Sequence, residues 1–113
     1  MSANSLTQSI LCYLNYNGFV AWSTYNGAVY DVKKQAYRAN PTKKKGISDV
    51  IGFRKSDGRH IEVEVKYGKD KESIFQEMHQ EELKKSHCIA IVARSFDQFE
   101  NEIKEYETKL KNL

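Results

Sequence analysis

The stretch GISDVIGFRKSDGRHIEVEVK, residues 46–66, decides how the rest of this chain is arranged. Two apolar segments, 47–53 and 60–66, enclose the polar residues 55–58, whose Asp-Gly pair is typical of a tight turn between paired strands. The pattern therefore predicts an antiparallel β-hairpin.

Apolar and charged side chains alternate along the second strand of this hairpin. Successive side chains of a strand point to opposite faces of the sheet. We expect the apolar set to face the core and the charged set to face a groove or solvent. The two sets are Ile61, Val63 and Val65 on one face and Glu62, Glu64 and Lys66 on the other.

The segments before the hairpin predict a helix and a strand. Apolar residues recur at helical spacing over residues 6–14, with Ser5 as a candidate N-cap and Gly18 suited to the far end. Residues 19–22 form a short apolar strand, in which we expect Trp22 to anchor the core.

The segments after the hairpin predict a helix, a strand and a final helix. Residues 88–92 form a continuous apolar run, which is typical of a strand covered on both faces. The helix over residues 73–85 is expected to bury Ile74, Phe75, Met78 and Leu83. The final helix follows the candidate cap Ser95 and carries an apolar stripe of Phe96, Phe99, Ile103, Tyr106 and Leu110.

The resulting order, α-β-β-β-α-β-α, predicts one α/β domain over residues 1–113, with a mixed central β-sheet flanked by helices. The stripe of the final helix suits packing on this sheet or on a second copy of the chain.

Composition and charge suit a globular domain. The formal net charge of +3 permits a polyanionic partner without demanding one. Cys12 and Cys88 are expected to be buried reduced thiols, and no Cys/His spacing is typical of a zinc site. Because no apolar run is long enough to span a membrane and the first residues lack a signal-peptide pattern, we expect a cytoplasmic protein with no membrane partner.

The hairpin brings Asp49 onto the charged face. If residues 55–58 form the loop, Asp49 lies opposite Glu64, and if only residues 57–58 form it, Asp49 lies opposite Lys66. Directly opposed side chains on one face have Cβ atoms about 4.5–5.5 Å apart. In either register, Asp49, Glu64 and Lys66 share one face.

Two carboxylates at that distance repel one another unless a cation lies between them. A hard ion such as Mg²⁺ suits them, and it can activate water and neutralise the charge of a phosphate. Lys66 would then stabilise the negative charge that develops on the phosphate. Without an ion, the same residues form an ordinary solvated strand face with cross-strand ion pairs, and the pattern alone leaves both interpretations open.

Residues 46–53, with Gly58-Arg59 and Glu64-Val65-Lys66 after them, resemble the PD-(D/E)XK nuclease superfamily, and in particular its stand-alone VRR-NUC domains from phages and bacteria. The resemblance continues through Ser73-Ile74-Phe75-Gln76 and residues 90–95, and it covers Trp22 and residues 26–28 upstream. It departs from the motif at Ser48, where the proline of the superfamily is absent.

This resemblance implies a restriction-endonuclease-like core that uses Mg²⁺ or Mn²⁺ to hydrolyse phosphodiester bonds. It also implies a homodimer that acts on branched DNA, such as Holliday junctions. The superfamily often has an acidic residue in its first helix, and the nearest candidate here is Gln8. The implied site residues are Asp49, Glu64 and the backbone carbonyl of Val65 as metal ligands, Lys66 as the catalytic lysine, and Gln76 as a helix glutamine facing the site.

Other polar residues are candidates for the same groove. Gln76 also fits a capping box with Ser73, a role that does not exclude one in the site. Gln80 lies one turn later on the same side of the helix. Glu62 competes with Glu64, but only Glu64 is followed two residues later by lysine.

A basic run precedes Asp49 in a predicted surface loop over residues 31–45. Beside a phosphodiester site such a run suits contacts with the DNA backbone, and elsewhere it is a solvated loop. Asn26-Gly27, upstream, predicts a turn. The candidate DNA-binding residues are Arg38, Lys43, Lys44 and Lys45.

The sequence thus predicts a metal-dependent, structure-selective DNA endonuclease. Two alternatives stay open: a non-catalytic nucleic-acid-binding module of the same fold, and a sequence-specific nuclease subunit that works with a partner.

Overall fold

The computed structural model describes residues 2–24, 29–31, 33, 36–38 and 46–112. In chain order the elements are α1 (Ala3–Tyr16), β1 (Phe19–Ser23), β2 (Val29–Asp31), β3 (Ala36–Arg38), β4 (Val50–Arg54), β5 (His60–Val65), α2 (Ile74–Lys85), β6 (Ile89–Ala93) and α3 (Phe96–Lys111). A four-stranded sheet has the order β1-β4-β5-β6, with β5 and β6 parallel and the other neighbours antiparallel. The predicted α/β class, with a mixed sheet and flanking helices, is confirmed.

A second, two-stranded sheet overlaps residues 31–45, which the sequence predicts as a loop. β2 and β3 pair in antiparallel fashion, with Val29 opposite Arg38. The loop prediction was wrong here because strands of three residues are too short to show an alternating pattern. The predicted turn at residues 26–27 lies outside the described residues.

The β4–β5 hairpin has the register of the longer predicted loop. Val50 lies opposite Val63, and the Arg54 N–H donates to the Arg59 carbonyl at 2.8 Å. Gly58 closes the turn with a φ of 73°, which glycine adopts without steric strain. Continuing this register places Asp49 opposite Glu64.

One face of the sheet carries the apolar core. α1 and α3 cover this face, and α3 packs on its own sheet through the buried Phe99 and Ile103. The other apolar residues of its stripe are partly buried against the same core. The core residues from the other elements are Leu6, Ile10, Leu14, Phe19, Val50, Ile61, Val63, Val65, Ile89, Ile91 and Ala93.

Serine side chains cap the N-terminal ends of α1 and α3. Ser95 caps α3 as predicted by accepting the Gln98 N–H, and Gly18 lies directly after the end of α1. The predicted cap at Ser5 was wrong. α1 begins earlier than its apolar pattern, at Ala3, and the Ser2 hydroxyl accepts the Ser5 N–H at 3.1 Å. None of the described helices is long and apolar enough to cross a membrane.

Two residues that we expected in the core are exposed. Trp22 is 49% exposed, because it lies opposite Ile51 on the face of the sheet that α1 and α3 do not cover. Cys12 is exposed on α1, whereas Cys88 is half-buried. No disulfide joins the two residues, and the predicted burial of Cys12 was wrong.

α2 covers the other face with its polar side towards the sheet. Ile74, Phe75 and Met78, which we expected to be buried, are all exposed, whereas His79, Gln80 and Leu83 are buried. The strand beneath α2 presents Glu62 and Glu64 to it. Polar helix side chains therefore face these carboxylates, and the apolar side of the helix turns outward.

Because of this orientation, two apolar residues of α2 should contribute unequally to the free energy of unfolding. Leu83→Ala should lower the free energy of unfolding by about 2–5 kcal/mol, because Leu83 is 7% exposed and its removal leaves a cavity. Met78→Ala should change it by no more than about 0.5 kcal/mol, because Met78 is 55% exposed. Urea unfolding with matched m-values measures both, and equal losses would contradict the orientation.

Candidate active site

Asp49 lies directly before β4 and is held from two sides. Its backbone carbonyl accepts the Thr24 N–H at 2.9 Å, and the neighbouring Ser48 carbonyl accepts the Thr24 hydroxyl at 2.7 Å. On the other side, its Oδ2 accepts the Val65 N–H at 2.9 Å. The carboxylate is therefore fixed at the C-terminal end of β5 by a backbone hydrogen bond.

Gly46 allows the chain to reach this position. Its φ is 81°, and a Cβ atom there would lie 2.3 Å from the Phe75 carbonyl oxygen. Any larger residue would push the chain away from the first turn of α2. The glycine thus keeps the segment before Asp49 against the helix that carries Gln76.

Glu64 faces α2 from the middle of the sheet and is 3% exposed. Its Oε1 accepts the Gln76 Nε2–H at 2.9 Å and lies 4.0 Å from the Lys66 Nζ. Its Oε2 is buried and has no hydrogen-bond donor. One oxygen of this buried carboxylate is therefore left to an occupant other than the protein groups described.

Gln76 performs both of its predicted roles at once. Its Oε1 accepts the Ser73 N–H at 2.8 Å, and the Ser73 hydroxyl accepts the Gln76 N–H, which completes a capping box. Its Nε2 is left to donate to Glu64. The capping bond fixes the amide so that its donor points into the site.

Asp49 and Glu64 bring two acidic side chains close together, so the charge of one disfavours ionisation of the other. Burial of Glu64, then the charge of Asp49 and a hydrogen bond between the two carboxyl groups, raise the pKa of Glu64 to about 8. With a pKa of about 8, Glu64 is mostly protonated at neutral pH in the metal-free protein. The folded protein therefore holds a proton where two carboxylates meet.

A divalent cation fits the place of that proton. The donor set consists of the Asp49 and Glu64 carboxylates, one oxygen of which has no partner. Val65 adds a carbonyl at the same edge, because the N–H and C=O of one strand residue point to the same side and its N–H binds Asp49. Oxygen ligands of this kind suit Mg²⁺ or Mn²⁺.

Among the described residues, no group of three or more His, Cys, Asp or Glu side chains is arranged to hold a metal ion. A site made of two carboxylates, a carbonyl and water molecules does not need such a group.

The structure brings together the four predicted catalytic residues. Asp49, Glu64, Lys66 and Gln76 meet at one end of β5. Gln80 is buried beside them, and its Nε2 donates to the Ser48 Oγ at 3.4 Å. It thus contacts the residue before Asp49 rather than the carboxylates.

The other predicted residues lie elsewhere. Gln8 is exposed on α1, where it lines a surface depression with Cys12 and Tyr13, apart from the described contacts of Asp49 and Glu64. Arg38 belongs to β3, and its side chain is outside the described part of the structure, as are residues 43–45.

The competing carboxylate Glu62 is directed away from the site. Its Oε2 contacts the His60 Nε2 at 2.7 Å, and its Oε1 contacts the His79 Nε2 at 2.6 Å. The sequence prediction did not include these histidines in the site. The available signal was the position of His79, three residues after Gln76 and hence on the same side of α2.

Glu72 was also missed by the sequence analysis. Its negative charge adds to the factors that raise the pKa of Glu64, and its Oε2 is buried without a hydrogen-bond partner. The sequence offers no pattern that singles it out.

The sequence matches no known family model, and no curated protein is significantly similar to it. The resemblance to VRR-NUC domains therefore depends on the motif residues alone and stays a prediction.

The raised pKa of Glu64 makes the stability of the metal-free protein depend on pH. Its ordinary pKa is 4.5 and its pKa in the folded protein is about 8, so folding takes up a proton between these values. The stability that this group contributes is fully present below pH 4.5 and is lost as the pH rises through about 8. We expect Tm, measured by circular dichroism in EDTA, to fall over this range.

Glu64→Gln should flatten that fall, because glutamine stays neutral and can still donate to Asp49. Glu77→Gln, on the exposed side of α2, is the matched control and should keep the wild-type slope. If the wild-type and Glu64→Gln curves run parallel, the shared proton is not at this position.

Proposed function

We propose that this chain is a divalent-metal-dependent endonuclease that hydrolyses phosphodiester bonds in DNA. One observation carries the proposal: Asp49 and Glu64 are opposed at the end of β5, and one buried oxygen of Glu64 has no donor. An ordinary solvated strand face would leave both carboxylates in water. Burial of an unpaired carboxylate costs free energy that a structural role does not require.

Asp49, Glu64 and the Val65 carbonyl would hold the ion. Bound there, Mg²⁺ or Mn²⁺ would supply Lewis-acid stabilisation of phosphate charge and a more acidic water molecule. The Val65 N–H restrains the Asp49 carboxylate, and the Gln76 amide restrains that of Glu64. Both ligands are therefore oriented before an ion binds.

Lys66 is the residue that acts on the substrate. Its side chain is 18% exposed, and its ammonium group lies at the edge of the carboxylate pair, 4.0 Å from Glu64. From there it can reach a phosphate and stabilise the negative charge that develops on the phosphoryl oxygens. A fixed ammonium group in a half-buried site stabilises such charge better than one in water.

Branched DNA is the substrate class that we propose, with a homodimer as the active species. The basic residues Arg38, Lys43, Lys44 and Lys45 would contact the phosphate backbone upstream of Asp49. Two symmetric cuts require two sites, and a two-fold dimer supplies them with one interface. α3 is not free to form that interface by its apolar stripe, because the stripe packs on its own core.

Lys66→Ala should lower the cleavage rate by about 10²-fold or more while DNA binding persists, because its charge acts mainly in the transition state. Nicking of supercoiled plasmid in Mg²⁺ measures the rate, and binding is measured in Ca²⁺, which tolerates looser coordination. Cleavage by the wild-type protein should stop in EDTA.

Lys69→Ala is the matched control, because Lys69 is an exposed lysine three residues further along the chain. It should cut at nearly the wild-type rate. Undiminished cutting in EDTA would refute the metal assignment. DNA binding without any cutting by the wild-type protein would instead favour a non-catalytic binding module.

The dimer is tested by light scattering at micromolar concentration, with and without a four-way DNA junction. A mass of twice the 13.1 kDa of one chain is expected, together with paired cuts in the junction and slower cutting of linear duplex. A monomer mass that persists with the junction bound would exclude the paired-cut mechanism, and cleavage at one sequence only would favour the subunit of a sequence-specific nuclease.

A further inference from the structure

α2 is fixed to the sheet by hydrogen bonds more than by apolar contacts. Of its buried side chains, only Leu83 is apolar, and the other two are His79 and Gln80. Its large apolar residues lie on the exposed side. Because apolar packing is not directional, a single buried leucine does not fix where along the sheet the helix lies.

Glu62 is the strongest polar anchor beneath this helix. It is 4% exposed, and each of its oxygens contacts one imidazole, from His60 on its own strand and from His79 on α2. Burial raises the pKa of Glu62, but hydrogen bonds from His60, His79 and Ser48 hold it below its ordinary value. Both Glu62 oxygens thus lie within hydrogen-bond distance of an imidazole nitrogen, and the shorter contact crosses to α2.

The two residues of the Glu62–His79 contact and the two residues of the Gln76–Glu64 contact have matching spacings on β5 and α2. Glu62 and Glu64 are two residues apart on β5, which separates them by about 7 Å on one face. Gln76 and His79 are three residues apart on α2 and lie on one side of it. Two contacts therefore join the helix to the strand side by side, Gln76 to Glu64 and His79 to Glu62.

We propose that Glu62 and His79 are a positioning pair, which holds α2 in the one placement where the Gln76 amide reaches Glu64 and so sets the metal affinity of the site. The part of this proposal that concerns metal affinity rests on the proposed function. In the described contacts the two side chains meet each other rather than Asp49 or Glu64, so the pair is proposed to act through Gln76.

The two histidines offer a matched comparison, because each contacts one oxygen of the same buried carboxylate. His79→Leu removes the contact that crosses to α2, and His60→Leu removes the contact within β5. A role limited to neutralising Glu62 predicts equal effects of both. A positioning role predicts an effect of His79→Leu alone on Gln76.

Two measurements on the full chain separate these outcomes. The first is the chemical shift of the Gln76 side-chain amide by NMR without metal, which reports the hydrogen bond to Glu64. The second is Mn²⁺ affinity by calorimetry, which should weaken about tenfold in His79→Leu and stay near wild type in His60→Leu. His79→Gln, whose amide can still donate to Glu62, should restore most of both.

Equal weakening by the two leucine variants, or an unchanged Gln76 amide in His79→Leu, would overturn the proposal. If His79→Leu does not fold, His79→Asn replaces it, because its shorter side chain stays polar but does not reach Glu62. A wild-type protein that binds no Mn²⁺ refutes the proposed function, whereas the amide shift in metal-free protein still decides whether the pair positions Gln76.

Discussion

The opposition of Asp49 and Glu64 across the start of the hairpin is the constraint on which the site depends. Glu64 is buried and Asp49 is half-buried, and the Lys66 ammonium group lies 4.0 Å from one oxygen of Glu64. Such a pair is stable only with a proton or a cation between its members. The hydrogen bonds from Val65 and Gln76 fix the two groups without removing this requirement.

The two faces of the sheet have different roles: one carries the apolar core, and the other carries the candidate site. On one face, α1 and α3 bury a continuous apolar core that includes Val63 and Val65. On the other, the alternate residues Glu62 and Glu64 meet the polar side of α2. Because successive residues of one strand serve both faces, the core holds the backbone that carries the carboxylates. A rigid backbone beneath a polar site keeps its ligands oriented before anything binds.

Local signals in the sequence were sufficient for the hairpin and the Ser95 cap, since turn residues and caps act over a few residues, but they left two registers of the hairpin open. Strand alternation placed Asp49, Glu64 and Lys66 on one face in either register, whereas Gln76 was added to the site by the resemblance to VRR-NUC domains. Local signals failed for the orientation of α2, because helical periodicity identifies an apolar side but not the chemistry of the surface that the helix meets. His79 was missed for the same reason, since its partner Glu62 is remote in sequence.

The proton on Glu64 links the chemistry of the site to its stability. A proton and a divalent ion would compete for the same oxygens, so binding of the ion requires release of the proton. Below a pH of about 8, the metal-free site is therefore neutralised in part by the proton on Glu64, and above that value Glu64 is ionised with only Lys66 beside it as a described cation. Gln76 donates to Oε1 of Glu64 and leaves Oε2 to the proton or the ion, so one arrangement of α2 serves both states. The helix would therefore not need to move if an ion replaced the proton, so its placement by hydrogen bonds is compatible with the proposed metal site.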